Sequence, residues 1–482
     1  MNPPLLINYN YLAITYISTI LKSTILITIH NLGEITIMTF FNRTFLITLF
    51  GLIPFSANAW EIHTLVAQPV FASMDEIVSA EDVEVTSLEE FLILAELHLE
   101  ETLAKEEAWA VENLEFYAPL PDSLTFQANN DEETVRRRFA RAIRINPQSK
   151  LIPYLQLLPG SEAGSRKVLL PEQVTPLKKN DGFYNVVFVA LAPGDTIDPL
   201  SVLVTANHEP DLGMDIGLYE NNDSEWGQRY GMGKQPFGDA KLEYGSQAPI
   251  HMGLYHEAAL INRVAPFIKE CYPEYRIHLY KTLSELAFSL GHDYWGWRFM
   301  GWGLHYIADL TQPYHSSALP GVGTFKMIVM NVMDMMGRSR MKDEAIRLVS
   351  NRHMAIELLE RQLLERAYLE NNMEYLHIRT LSSEKVIPHY MDMLPREIIA
   401  KKAYARAKRL DRVIEKNFPA QLVSDPNYEL GEFSQKNELI DVLSHSGNPE
   451  ALQNLEQELN DILTEFSIYG RSYARSILSS TP

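Results

Sequence analysis

His305 and Asp309 stand four residues apart within residues 301–320, GWGLHYIADLTQPYHSSALP. On a helix that spacing puts both side chains on one face, a turn apart, where they can reach a common ion. Gln312-Pro313 then ends the helix, because proline lacks an N–H and restricts the residue before it. The break lets His315 point from a loop toward a neighbouring site. A second pair with the same spacing, His353 and Glu357, follows in NRHMAIE. Imidazole together with carboxylate favours zinc over softer or harder metals. A lone pair of this kind is usually a surface or capping arrangement, but two pairs with a loop histidine between them point to metal chemistry. The N-terminal region adds to them. Residues 38–59, MTFFNRTFLITLFGLIPFSANA, carry one arginine, an apolar stretch and the small-x-small ending Ala57-Asn58-Ala59. These are the parts of a secretory signal peptide. Cleavage after Ala59 would export the protein, secreted or periplasmic, and free the α-amine of Trp60. That amine and the Trp60 carbonyl can chelate one zinc ion, and His63 can add a third ligand.

The segment HYIADLTQPYH resembles the signature of the zinc-dependent phospholipase C and single-strand-specific nuclease superfamily. The resemblance implies a mainly α, multi-helix domain in which three zinc ions sit in a cleft. The family's ligands are an N-terminal tryptophan, five histidines, two aspartates and one further carboxylate. By that resemblance Trp60 and His63 hold one zinc, with Asp309 bridging to a second. His305, a histidine and an aspartate from an earlier segment complete the second, and His315, His353 and Glu357 hold the third. A glutamate at 357 is similar to the phospholipase branch. The earlier ligands fall in residues 206–257, where Asp211 and His251 are the choices and Asp215 and His256 the substitutes. His208 lies ahead of a proline turn and reads as a surface residue. Two departures stand out: His63 is closer to Trp60 than the usual family spacing, and residues 71–200 form an insertion. The resemblance covers roughly 60–70 and 205–370.

The implied reaction is hydrolysis of the phosphodiester of phosphatidylcholine or a related phospholipid, at a membrane or micelle surface, to diacylglycerol and the phosphorylated headgroup. A zinc-bridging hydroxide would attack phosphorus, with Asp211 and Asp309 as the catalytic carboxylates. A single-strand nuclease or nucleotidase would use the same metals, so the ligand set does not separate the two. A non-catalytic exported zinc-binding protein is the third reading. There is no Gly-x-Ser-x-Gly elbow for a serine nucleophile and no glycine-rich nucleotide loop in the required context.

The elements that must position these residues read as helices. The 482 residues carry a net charge of −20, which argues against tight binding of long nucleic acid and against docking on strongly anionic membranes. The length supports one large domain or two smaller ones. Cys271, the only cysteine, excludes an intramolecular disulfide framework. Residues 1–37 read as an upstream extension, or alternatively as an apolar anchor segment. Residues 87–114 and 132–145 have helical spacing, and the second carries Arg136-Arg137-Arg138, read as a solvated face or alternatively as a headgroup contact. Residues 184–192 have a β-branched, strand-like run ended by Pro193-Gly194. The insertion is thus α-rich with a little sheet, and either a lid or a partner-binding face. From residue 246 onward successive helices are broken by prolines, and no C-terminal β-sandwich is expected. The aromatic run 291–302 either fills the core or cages a quaternary ammonium group. The Met-rich residues 319–336 are either an exposed loop that dips into lipid or a buried helix.

Overall fold

Apolar side chains recur at helical spacing through most of this chain, and the computed structural model is mainly helical, with a little strand. It describes residues 62–178, 185–383 and 385–480. Trp60, the signal-like segment 38–59 with its Ala59 cleavage site, and residues 1–37 lie outside the described residues. The longer helices are α1 (His63–Phe71), α2 (Leu88–Leu94), α3 (Glu96–Asn113), α4 (Glu132–Ala142), α5 (Pro199–Ala206), α6 (Pro273–Ser289), α7 (Asp293–Thr311), α8 (Thr324–Met335), α9 (Arg340–Leu369), α10 (Lys401–Asn417) and α11 (Ala451–Ser480). Among the described residues no helix is long and apolar enough to cross a membrane.

The core is organised around α7. Every residue from Tyr294 to Thr311 is buried, the pattern of a helix surrounded by protein on all sides. It packs along α6 and also against α5 and α11. Close approach to α5 depends on Gly301, where a Cβ would lie 2.5 Å from the Ala206 Cβ and 2.6 Å from the Leu203 carbonyl oxygen. The α5 helix is started by Pro199 at its first position and by Asp198, whose carboxylate accepts from the Ser201 N–H at 2.8 Å. Pro273 likewise opens α6.

The aromatic run 291–302 resolves as core. Trp295, Phe299 and Trp302 are fully buried, Phe299 and Trp302 meet edge to face with centroids 5.0 Å apart, and the Trp302 indole N–H donates to Glu209. A cage for a quaternary ammonium group is therefore excluded there, since the ring faces are spent on one another.

Residues 71–200 contain α2 to α4 and five short strands: β1 (Val83–Glu84), β2 (Tyr154–Leu157), β3 (Val168–Leu169), β4 (Val187–Ala190) and β5 (Thr196–Ile197). β4 is the middle of an antiparallel sheet of order β2-β4-β3, with Tyr154 opposite Ala190 and Val168 opposite Val189. β1 pairs with β5. This segment packs on the helices that carry the candidate site: α3 lies on α6 and β2 on α5, and the Trp295 N–H donates to the Ser87 carbonyl at 3.1 Å. Arg136 and Arg138 pair with Glu89 and Glu96, tying α4 to the α2–α3 region, while Arg137 is exposed. Among the described residues no strand follows Glu357.

Candidate metal centre

Three separated stretches of sequence converge on α7. Along one face of that helix, Arg298, Trp302, His305 and Asp309 follow at helical spacing. The buried Glu209 accepts from Arg298 (Nε at 2.8 Å) and from Trp302, so the turn after α5 is fastened to the same face. Asn207 extends the seam: its amide donates to the Gly301 carbonyl at 3.2 Å, and its carbonyl lies 2.9 Å from His305 Nδ1. Gly213, at φ +94°, closes the short 3₁₀ turn that carries Asp211. α1 contributes His63, and the short turn Ala248–His251 contributes His251.

Three groups of side chains result, each with its ligand atoms within 4.8 Å of one another: His63, Asp211 and His305; His251, His305 and Asp309; His315, His353 and Glu357. The first two merge. The oxygens of Asp309 are divided, Oδ1 lying 3.5 Å from His63 Nε2 and Oδ2 lying 2.9 Å from His251 Nδ1 and 3.4 Å from His305 Nε2. Asp211 is divided in the same way, with Oδ2 3.4 Å from His63 Nε2 and Oδ1 3.8 Å from both His251 Nδ1 and His305 Nε2. In the third group Glu357 lies 2.5 Å from His353 Nε2. The Tyr314 ring stacks on His353 and its hydroxyl donates to Asp411 at 3.0 Å. The groups are joined through residues 251–253: His315 Nδ1 lies 3.1 Å from the His251 carbonyl, and the Gly253 N–H donates to the His315 carbonyl at 2.8 Å.

Several histidines have one ring nitrogen held by the protein and the other turned to the cluster, as metal-ligating imidazoles do. His305 is held by Asn207 and His315 by His251. His251 is held by Asp215, 3.1 Å from its Nε2. Asp215 is fixed in turn by Arg276 at 2.7 Å and by the Tyr306 hydroxyl, and Arg276 donates to the carbonyls of Ile143 and Arg144 in the 71–200 segment.

The neutral rings of His305 and His353 suit a cation. Burial, with His63 and His251 close by, drives His305 well below the usual imidazole range. Burial and His315 do the same to His353, so both rings are neutral with a lone pair to offer. Burial pushes Asp309 up to about 6 and Asp211 well above the carboxylate range. Burial would lower His251, but its hydrogen bonds to the carboxylates of Asp215 and Asp309 outweigh it and hold its pKa at about 10. Burial would raise Asp215, yet Arg276, His251 and Tyr306 keep it below the usual value. Removing a carboxylate from water costs several kcal/mol per ion unless it is paired. A divalent cation held by Asp211 and Asp309 would supply that pairing, and the imidazole and carboxylate donors fit one.

The structure thus brings together His63, Asp211, His251, His305, Asp309, His315, His353 and Glu357. Of the substitutes, Asp215 sits behind His251, and His256 is elsewhere, 2.7 Å from the Arg396 carbonyl. His208 is not a surface residue. It is only 3% exposed, with its ring centroid 6.1 Å from that of His63, because the Pro210 turn folds inward under α7. The supporting groups Arg276 and Tyr306 carry no local sequence signal. Asp215, four residues after Asp211, carries one that fits either role.

No family model, curated protein or solved structure matches this chain.

Proposed function

We propose that this protein is an exported, zinc-dependent phosphodiesterase of the phospholipase C type, acting on phosphatidylcholine or a related phospholipid. The observation that carries the reading is the buried pair of carboxylates, Asp211 and Asp309, each divided between histidines of two groups, with the His315, His353 and Glu357 group alongside. Such an arrangement suits several ions held close together. His63 with Asp309, His251 with His305, Asp211 and Asp309, and His315 with His353 and Glu357 would hold three zinc ions. Trp60, once freed by cleavage after Ala59, would complete the first. When bound, zinc supplies a Lewis acid and lowers the pKa of water toward neutrality. The chain's own part is positional. Asp309 joins the first two sites, Asp211 orients the attacking water toward phosphorus, and Asp215 and Asn207 lock the rings of His251 and His305. Burial around the cluster keeps bulk water out and strengthens each electrostatic contact. Glu357, the acidic net charge and the exposed apolar side chains Phe325 and Val332 of α8 and Met336 just after it favour lipid over nucleic acid as substrate.

The test is release of phosphate ester by the mature protein, with zinc and with chelator, from phosphatidylcholine vesicles and from single-stranded DNA in parallel. Chelator-sensitive phosphocholine release with intact DNA is the expected result. Cleaved DNA with untouched lipid would move the protein to the nuclease reading. Bound zinc with neither product would point to another phosphodiester substrate or to a binding protein.

A further inference from the structure

Residues 319–336 form neither a loop nor a buried helix. α8 is half of each. Met327 and Met330 are 3% and 1% exposed, on the side toward α9, against which α8 packs. On the other side Phe325, Val332 and Met336 are 70%, 50% and 65% exposed. Their spacing puts them along one helix face, and Met341 beyond the turn is also exposed.

The charge of this segment runs against that of the chain. Between residues 324 and 342 lie Lys326, Arg338, Arg340 and Lys342 against the single acid Asp334, in a protein of net charge −20. Lys342 is spent on Asp334 and Arg340 on Glu344. Lys326 and Arg338 are exposed and form no ion pair among the described residues. The position is equally specific. Gly337, at φ +75°, turns the chain between α8 and α9, and the Asp334–Lys342 pair at 2.8 Å sets how the two helices lie against each other. With equal rise in both helices, Phe325 comes level with about Asn351, beside His353.

We propose that the outer face of α8 and the turn after it form a phospholipid-docking surface, with Phe325, Val332 and Met336 entering the headgroup–acyl boundary and Lys326 and Arg338 meeting lipid phosphates. This deepens the phospholipase reading and rests on it for its purpose, although docking is measurable without catalysis. An amphipathic helix with apolar residues on one face and cations at its margin lies in the plane of an interface. An otherwise acidic protein would thereby meet lipid by a cationic, apolar edge.

The test is flotation of the mature protein with vesicles of phosphatidylcholine containing a minor fraction of phosphatidylglycerol. The wild type is compared with Phe325→Asp/Met336→Asp and, as a pair that leaves helix packing untouched, Lys326→Glu/Arg338→Glu. Zinc content, thermal midpoint and sedimentation are read alongside. The expected result is vesicle binding by the wild type and a loss of about tenfold or more in both variants, with zinc content unchanged. Wild type that fails to float, or variants that float equally well, would overturn the proposal. So would a wild-type dimer that the variants dissociate, since the face would then serve self-association. Floating wild type that hydrolyses neither vesicle nor monomeric short-chain lipid would keep the docking surface and remove the phospholipase reading.

Discussion

Asp211 and Asp215 are four residues apart, both buried and both close to His251, yet they do different work. Asp215 is fixed by Arg276, Tyr306 and His251, whereas Asp211 turns its oxygens to the centre and accepts from the Gln247 side-chain amide at 3.4 Å. Removing the support should weaken the site without touching a ligand. Tyr306→Phe, which deletes one hydrogen bond to Asp215, should lower metal affinity, and Asp215→Asn should lower it about 10–100-fold. Titration of zinc into the chelator-treated protein measures both. Because Asp215→Asn also leaves Arg276 buried without its charge partner, a cost of about 3–5 kcal/mol should show in its thermal midpoint and not in that of Tyr306→Phe. Equal zinc affinity in all three proteins would show that Asp215 has no positioning role. Sequence alone left this pair open for a physical reason: the discriminating partner, Arg276, is 61 residues from Asp215. His208 was misread for a related reason. A proline turn usually lies at the surface, and only the packing of residues 207–212 beneath α7 makes this one buried.

The helix pairs were the most legible elements. Spacing of four residues in His305/Asp309 and His353/Glu357, and the Pro313 break before His315, are backbone geometry and survive any tertiary arrangement. What they meet is not local. His63 and Asp211 reach His305 only because α5 lies against α7 at Gly301. Gly301→Ala would put a methyl 2.5 Å from the Ala206 Cβ, an overpacking that typically costs about 1–3 kcal/mol. Since Asn207 directly follows α5 and holds His305 Nδ1, the same variant should also bind zinc more weakly. A thermal midpoint and zinc stoichiometry that both match wild type would mean that α5 can shift without consequence. The α8 segment was ambiguous in sequence because a helix buried along one face has the composition of neither a core helix nor a loop.

At the scale of the whole molecule, histidines kept neutral by burial should weaken the fold in acid. Burial holds His208 at about 3 and His377 at about 4. Unfolded histidine titrates near 6.5, so in that interval the unfolded chain binds protons that the folded chain refuses. Stability from these groups is therefore complete above about pH 6.5 and is lost as pH falls toward 4. His377 lies on the helix Leu376–Ser382, outside all three ligand groups, and tests the point cleanly. Thermal midpoints from pH 7 to 4 should fall less steeply in His377→Gln than in wild type, and parallel curves would assign the acid limit to other groups. The mainly helical class was readable from periodicity over hundreds of residues. The part played by residues 71–200 was not, because carbonyls of Ile143 and Arg144 act on the centre only through Arg276.

The candidate ligands run from residue 63 to residue 357, while the single thiol, Cys271, is free. His63 and His305 belong to one group and stand 242 residues apart in sequence, so a cation held there would tie together distant parts of the chain, a task that disulfides perform in other proteins. The two kinds of fastening fail under opposite treatments. This one would ignore a reductant and yield to a chelator, so limited proteolysis should be unchanged by dithiothreitol and sharply accelerated when divalent ions are withdrawn.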